Sequence, residues 1–512
     1  MGRTTTFPGG RADLGRVRVA IIGAGFGGLG AAIRLRQAGI DDFVVLERAT
    51  DVGGTWQANT YPGAQCDIPS MLYSFSFAPN PNWTRLYPLQ PEIQRYLRDC
   101  VDRFGIADRL RLEHDVLDAA WDGQAQVWRI ATDRGVLEAT ALIGAFGPFS
   151  APATPDIPGL NDFRGAVFHT AEWNHEHDLA GERVAVIGTG ASAVQVVPRL
   201  QPIVSRLSVF QRTPTWIMPH PDRPLAGRVR RMFESAPALQ RALRTGLDLV
   251  QESLVPGLVW QPALLGGAQR LARNHLRRQV ADPALRAALT PRYAFGCKRP
   301  TFSNAFYPAL TAPNCDLVTA RITEIVPDGI RTADGVVHQV DSIVLGTGFR
   351  LTDHPIFERL RGSGGRRLAQ VWHGDARAYL GTMVSGFPNL FLILGPNSVT
   401  YTSQVVTIEA QLNYIVSALS RMAAAGLTSI DVRPEVQRAF IEEMDTGLRS
   451  SVWNAGGCRS YYVNDAGRNF VFYPGFSRQF KARLRRANLA DFDTHRVPTP
   501  DNDVPEAVRT PR

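Results

Sequence analysis

One local pattern occurs twice in this chain and constrains its fold more than any other feature. Residues 17–22, VRVAII, form a short β-branched apolar run that leads straight into GAGFGG and then into the helical pattern LGAAIRLRQAG. The order strand, tight glycine turn, helix is that of a dinucleotide-binding unit. Gly23 permits the turn, Gly25 lets the backbone approach a pyrophosphate, and Gly28 lets the helix pack closely. The free N–H groups and dipole at the helix start favour the phosphates. The pattern returns at 184–195, VAVIGTGASAVQ, with Gly188, Gly190 and Ala193 in the three places.

The two copies differ at one offset. The strand after the first, FVVLE, ends at Glu47, 22 residues beyond Gly25, where an acid accepts hydrogen bonds from ribose hydroxyls and repels a 2′-phosphate. The strand after the second, LSVFQR, ends at Arg212, 22 residues beyond Gly190. A guanidinium at that point grips a 2′-phosphate through charge-assisted hydrogen bonds. The first site therefore suits an unphosphorylated adenosine ribose and the second suits NADPH. Glycines serving helix packing alone would not explain the charge reversal. Two nucleotide sites in one chain imply a flavoprotein fed by a nicotinamide, with FAD in the first site. GGTW at 53–56 extends that site, making Gly54, Thr55 and Trp56 candidate flavin contacts together with Tyr73. The segment His114-Asp115-Val116 is expected to border the adenine, with Val116 as the contact.

The fold expected is α/β, with two Rossmann-like dinucleotide-binding domains, for FAD and NADPH, and a helical insertion. A length of 512 residues allows roughly three domain-sized units. The FAD domain is assigned to 1–150 and 385–486, and the NADPH domain to 151–221 and 293–384. Between the NADPH parts, 222–292 carries arginine-rich helical periodicity with apolar residues at helical spacing, read as a cap over the substrate entrance. The stretches 141–159 and 341–350 each read as a strand ending in a glycine turn where the chain crosses between domains. The tail 487–512, rich in Pro, Asp and Thr, is expected to be disordered. No role is assigned to the aromatic stretch 453–475 beyond bordering the substrate.

Composition excludes more than it assigns. No window reaches the roughly 18 uncharged apolar residues of a membrane helix. The N-terminus has no apolar run of the signal-peptide kind, and the match of Gly2–Thr6 to a myristoylation pattern is read as chance. The five cysteines are scattered and never spaced C-x-x-C, which argues for a reducing compartment, here the cytoplasm, without a metal site or redox disulfide. Cys458 is read as a small filler. The net charge of +9 is concentrated at 223–299 and 478–486. With no nucleic-acid motif beside it, that excess is read as a solvated helical face plus sites for phosphorylated cofactors.

FRGAVFHTAEWN, residues 163–174, lies between the two glycine motifs and places Phe163, Gly165, His169 and Trp173 at fixed intervals. With those motifs it resembles the signature of the Baeyer–Villiger monooxygenases, within the wider flavin-dependent monooxygenases, over about Val17 to Asn397. The family pattern usually ends in Pro or Asp, whereas this chain has Asn174. The resemblance implies that His169 and Trp173 sit where the nucleotide domains meet and couple NADPH binding to domain position, without acid–base work. It also implies that NADPH reduces FAD and that a flavin peroxide inserts one oxygen atom of O2 next to a ketone carbonyl, giving an ester or lactone.

Such a site must hold negative oxygen away from water beside a fixed cation. In FGCKRPTFSNAFYPAL (295–310), Lys298-Arg299 matches the family's lysine–arginine pair, so Arg299 is implied as the catalytic cation. Asp67, in the stretch 59–67, matches the aspartate that pairs with it. Lys298 is implied to join Arg212 and Thr213 at the 2′-phosphate, and only Lys298 and Lys481 among the 56 basic residues are lysines. The segment 386–398 resembles the family's return to the flavin, with Asn397 as a contact. The ketone is expected to be lipophilic. An amine- or sulfide-oxygenating flavoenzyme would not need the Arg299–Asp67 pair, a disulfide reductase would need paired cysteines, and a non-catalytic redox sensor would bind both nucleotides without turnover.

Overall fold

The computed structural model describes residues 12–496. The N-terminal pattern at Gly2–Thr6 and the tail beyond Arg496 lie outside them. The first glycine motif grows from the strand Asp13–Ile22, which pairs in parallel with Phe43–Leu46 on one side and Val136–Gly144 on the other. The run VAII is buried on both faces: Val19 and Ile21 pack into one cluster, Ala20 and Ile22 into another. That double burial is why the strand reads as a continuous apolar run instead of an alternation. The sheet extends through Leu110–Arg111 at one edge and through Val127–Thr132, Val116–Asp122 and Leu360–Arg361 at the other, while Leu390–Leu392 adds to Val136–Gly144.

A second, five-stranded parallel sheet runs in the order Cys315–Val318, Arg206–Phe210, Arg183–Ile187, Ser342–Leu345, Ala166–His169. Its strands divide their residues between two cores in the same way, Val184 and Val186 on one face, Ala185 and Ile187 on the other. Helices Phe26–Gln37 and Ala191–Leu200 follow the two glycine turns. Glycine is required at these turns. Gly23 and Gly188 have φ of +100° and +118°, and a Cβ on either would lie 2.6 or 2.4 Å from the carbonyl oxygen of Ala145 or Gly346.

The two crossings between the sheets lie side by side. Ala153 donates its N–H to the Gly348 carbonyl and Arg350 donates to that of Ala151, zipping the 151–153 and 348–350 segments together. Two boundaries differ from the sequence reading. The chain rejoins the first sheet at Leu360–Arg361, which pairs with Ala119 and Ala120, so the stretch from about 351 to 384 belongs with the first unit. Residues 487–496 are ordered, because Phe492–Arg496 forms an antiparallel pair with Leu427–Val432 that the compositional reading could not register. The helices Gly227–Ser235, Pro237–Glu252, Gly266–Gln279 and Pro283–Ala288 lie between the strands Ile217–Met218 and Thr301–Phe302. No described helix is long and apolar enough to cross a membrane.

Candidate active site

A cavity of about 710 Å³ lies where the two sheet units and the helical segment meet. Thr55, Trp56, Asp67 and Tyr73 line it from the first unit, Gly190 from the second glycine turn, and Val250 and Leu254 from the helical segment. Arg299 stands on its wall, two residues before a short strand, Thr301–Phe302, that pairs with Ile217–Met218. Its guanidinium meets Asp67 in a two-pronged ion pair, Nε to Oδ2 at 2.7 Å and Nη2 to Oδ1 at 2.8 Å. Burial works against the charge on Arg299, but the Asp67 carboxylate outweighs it and lifts the guanidinium well above its ordinary pKa. The side chain still presents 39% of its surface to the open cavity, so the charge is fixed from behind and available in front. Around it stand Tyr401 and Tyr462, whose phenols burial pushes upward in pKa, leaving neutral hydroxyls, with the more exposed Tyr461 beside them.

The residues read as nucleotide contacts fall into two groups. Glu47 is buried, and its carboxylate accepts from the Ala24 N–H at 2.7 Å and the Ala49 N–H at 2.9 Å, which fixes it at the mouth of the first glycine turn. Gly54 closes on that turn, for a Cβ on Gly25 would lie 3.5 Å from its Cα. A Cβ on Gly28 would stand 1.7 Å from the Gly23 carbonyl oxygen. Trp56 donates its indole N–H to the Tyr73 hydroxyl at 3.0 Å. Val116 is buried, with its carbonyl accepting from Arg359, and the neighbouring His114 donates its N–H to the Glu47 carbonyl.

In the second unit, Ala193 is fully buried under the turn, whereas Gly190 faces open space and the cavity. Arg212 is exposed. Lys298 sits 5.5 Å over the Tyr293 ring, and burial followed by the charge of Arg212 pulls its pKa down. Neither cation has a carboxylate partner among the described residues. Two unneutralised cations side by side are the chemistry of an anion site. Thr213 accepts the Thr189 hydroxyl at its carbonyl, tying the cation loop to the glycine turn.

Asn397 is held by its side chain. It is fully buried, its Nδ2 donates to the Asn469 and Phe472 carbonyls, and its Oδ1 accepts from Arg468. With its side chain spent on the 469–472 loop, it supports the cavity wall without facing the cavity. The cysteine reading is also corrected: Cys297 and Cys458 form a disulfide, so Cys458 is not a mere filler and the cysteines no longer argue for a reducing compartment. The bond ties the residue beside Lys298-Arg299 to the loop carrying Tyr461 and Tyr462, and a separation of 161 residues hid the pairing from sequence spacing.

His169 ends the strand Ala166–His169 and is buried, with Nδ1 accepting from the Ala171 N–H and its ring 5.6 Å from Phe349 on the crossover. Burial lowers its pKa, so it is neutral at physiological pH. Trp173 packs edge-on to Phe168 at 5.0 Å, Phe163 packs against the core formed by Ile325 and Ile343, and a Cβ on Gly165 would lie 2.0 Å from the Asp341 carbonyl oxygen. The signature thus builds the edge of the second sheet and backs the crossover that lines the cavity.

Sequence reasoning missed Gln195, the last residue of the second glycine motif. Its Nε2 donates to the Gln65 carbonyl and its Oε1 accepts from the Tyr61 hydroxyl, joining the second helix to the loop that carries Asp67. The paired tyrosines at 461 and 462 were the one visible signal for the tyrosine wall.

A family profile described as pyridine nucleotide-disulphide oxidoreductase matches residues 20–244. A Baeyer–Villiger monooxygenase of Streptomyces coelicolor is 46% identical over 482 residues, covering 94% of this chain and 93% of that protein. Among solved structures, oxidised steroid monooxygenase bound to NADP matches with a TM-score of 0.84 at 30% identity, covering 94% of this chain and all of that one. OTEMO in complex with FAD and NADP matches at 0.85 and 26% identity, covering 93% and 99%.

Proposed function

The chain belongs to the Baeyer–Villiger monooxygenase family, and we propose that Arg299, held by Asp67, is the residue around which its chemistry is arranged. The protein is an FAD- and NADPH-dependent monooxygenase that inserts one oxygen atom of O2 next to a ketone carbonyl. The residues present fit both cofactors. The first turn closes on Gly54 and Glu47, the second presents Gly190 to open space, and Arg212 with Lys298 leaves two positive charges without a protein partner. We assign Gly23, Gly25, Gly28, Glu47, Gly54, Thr55, Trp56 and Tyr73 to FAD, and Gly188, Gly190, Arg212, Thr213 and Lys298 to NADPH. When bound and reduced, FAD supplies the activated dioxygen.

The protein's own part is electrostatic. As the ketone carbon becomes tetrahedral, negative charge gathers on its oxygen, and a guanidinium already oriented by two hydrogen bonds stabilises that charge without reorganising. Asp67 fixes the plane of the guanidinium and keeps it charged. The tyrosines and the aromatic crossover exclude water, which strengthens the interaction. His169 holds Phe349 on the crossover and is assigned a conformational role only. The observation that carries the assignment is the two-pronged Arg299–Asp67 pair facing a largely apolar cavity.

The apolar lining from Phe146 to Phe472 supports a lipophilic ketone. Dependence on NADPH, a reductant of the cell interior, supports a cytoplasmic location. Purified protein with FAD is expected to oxidise NADPH faster when a ketone is added, with one O2 taken up and one ester formed per NADPH. Ketone-independent oxidation that yields no ester from any member of a ketone panel would contradict the proposal.

A further inference from the structure

The Pro237–Glu252 helix is built inside out. Its polar residues at 240, 244, 248 and 252 recur every fourth position, which puts them on one face, and that face is turned inward. Gln240 donates to the Asn80 carbonyl, and Arg244 donates to the carbonyls of Met71, Leu72 and Ser74. Asp248 accepts from Lys481, and Glu252 accepts from the Ser477 and Arg478 N–H groups. Gln240 and Glu252 are the only buried residues of the helix. The adjoining face, Leu239, Leu243, Val250 and Leu254, is left uncovered, Val250 at 67% exposure, while Leu247 between them is half-buried against the first core.

The exposure continues along the segment. Nine of the fifteen exposed large hydrophobic side chains among the described residues lie between Met232 and Leu271, including Trp260 and Leu264. The same stretch, 227–279, holds nine arginines against three acids, and two of those acids are the inward-facing Asp248 and Glu252. Apart from Arg244, none of the nine arginines has an ion-pair partner among the described residues. A leucine-rich face with tryptophan, flanked by unpaired arginines, has the chemistry of a helix that lies in a lipid interface. A second copy of this chain would set the same arginines against one another, whereas anionic headgroups neutralise them.

We propose that the 227–279 segment docks this protein on an anionic phospholipid surface, with the Pro237–Glu252 helix lying in the interface. Val250 and Leu254 belong both to the exposed stripe and to the cavity lining, so docking places the cavity mouth against the acyl region. A ketone dissolved in lipid would then enter without crossing water. The docking itself is independent of the role assigned to Arg299, and its test reads binding apart from turnover.

The test is flotation of the FAD-loaded protein, with NADP, on vesicles of phosphatidylcholine alone or of equal parts phosphatidylcholine and phosphatidylglycerol. The protein should float with the anionic vesicles only. Leu239→Gln/Leu243→Gln, which changes no charge and touches no cavity residue, should lower the partition coefficient by roughly tenfold or more. NADPH oxidation on a small water-soluble ketone in vesicle-free buffer should stay unchanged. Absence of flotation at low salt, or flotation undiminished in the double variant, would overturn the proposal. So would a dimer, seen by light scattering, that the double variant splits while neither form floats, since the face would then belong to a second copy.

Discussion

Arg299→Ala removes the cation and leaves Asp67 without its partner, so the cost to catalysis can be bounded in two ways. Two unit charges about 4 Å apart at an effective dielectric of about 20 interact by roughly 4 kcal/mol, which is the scale of support a fixed guanidinium gives to a developing oxyanion. Loss of one preorganised donor in other enzymes costs about 10²–10³ in rate, or roughly 2.7–4 kcal/mol. The two agree, so ester formation should fall by about 10²–10³. Hydride transfer from NADPH to the flavin does not build charge at that carbonyl, and its rate should change by no more than a few fold. Anaerobic stopped-flow measurement of flavin reduction and chromatographic measurement of ester from the same protein stock separate the two steps. Arg299→Lys should recover little, because a single ammonium cannot reproduce the two-pronged geometry at 2.7 and 2.8 Å. An ester rate within about threefold of the parent enzyme would refute the assignment. Equal loss in both half-reactions would assign Arg299 to folding or cofactor binding instead.

Arg212→Ala should lower the ratio of kcat/KM for NADPH to that for NADH by roughly tenfold to a hundredfold, the worth of one charge-assisted hydrogen bond, with a further loss in Arg212→Ala/Lys298→Ala; an unchanged ratio would remove both from the 2′-phosphate. Denatured without reductant and alkylated, the protein should take up three equivalents, at Cys66, Cys100 and Cys315, and five after reduction; five at the outset would show the Cys297–Cys458 bond absent. His354 is buried behind the crossover, and burial followed by the charges of Arg48 and Arg350 lowers its pKa from 6.5 to about 4. Its neutral form therefore supports the fold above pH 6.5, and that support is lost as pH falls toward 4, by on the order of 3 kcal/mol. The Tm of His354→Gln should decline less over that window than that of the parent, and parallel declines would show the titration lies elsewhere.

The two glycine turns were legible because sterics leave almost no other residue at Gly23, Gly28 or Gly188, so the fold writes itself into local sequence there. The opposite charges of Glu47 and Arg212 were legible for a similar reason, since both fall just past the strand that follows each glycine helix, after Leu46 and Phe210. What stayed hidden depends on contacts between distant segments. Leu360–Arg361 is two residues long and joins the first sheet only by pairing with Ala119 and Ala120, so no periodicity announces it. Asn397 falls in a stretch that suggests a flavin contact, and its anchoring by three side-chain hydrogen bonds to the 468–472 region could not be read from that stretch. The Pro237–Glu252 helix shows a clear apolar stripe in sequence, and such a stripe ordinarily faces the core. Here the helix's four inward polar residues, bonded to the body of the protein, reverse it, and no single sequence can reveal partners that lie more than a hundred residues away.

Mass spectrometry of the product formed from a ketone, NADPH and isotopically heavy dioxygen tests the central claim most directly. The product should be an ester or lactone carrying one heavy oxygen atom per NADPH consumed, with the label at the inserted position. An unlabelled ester would contradict it, as would NADPH oxidation that sends all the labelled oxygen to hydrogen peroxide across the whole ketone panel.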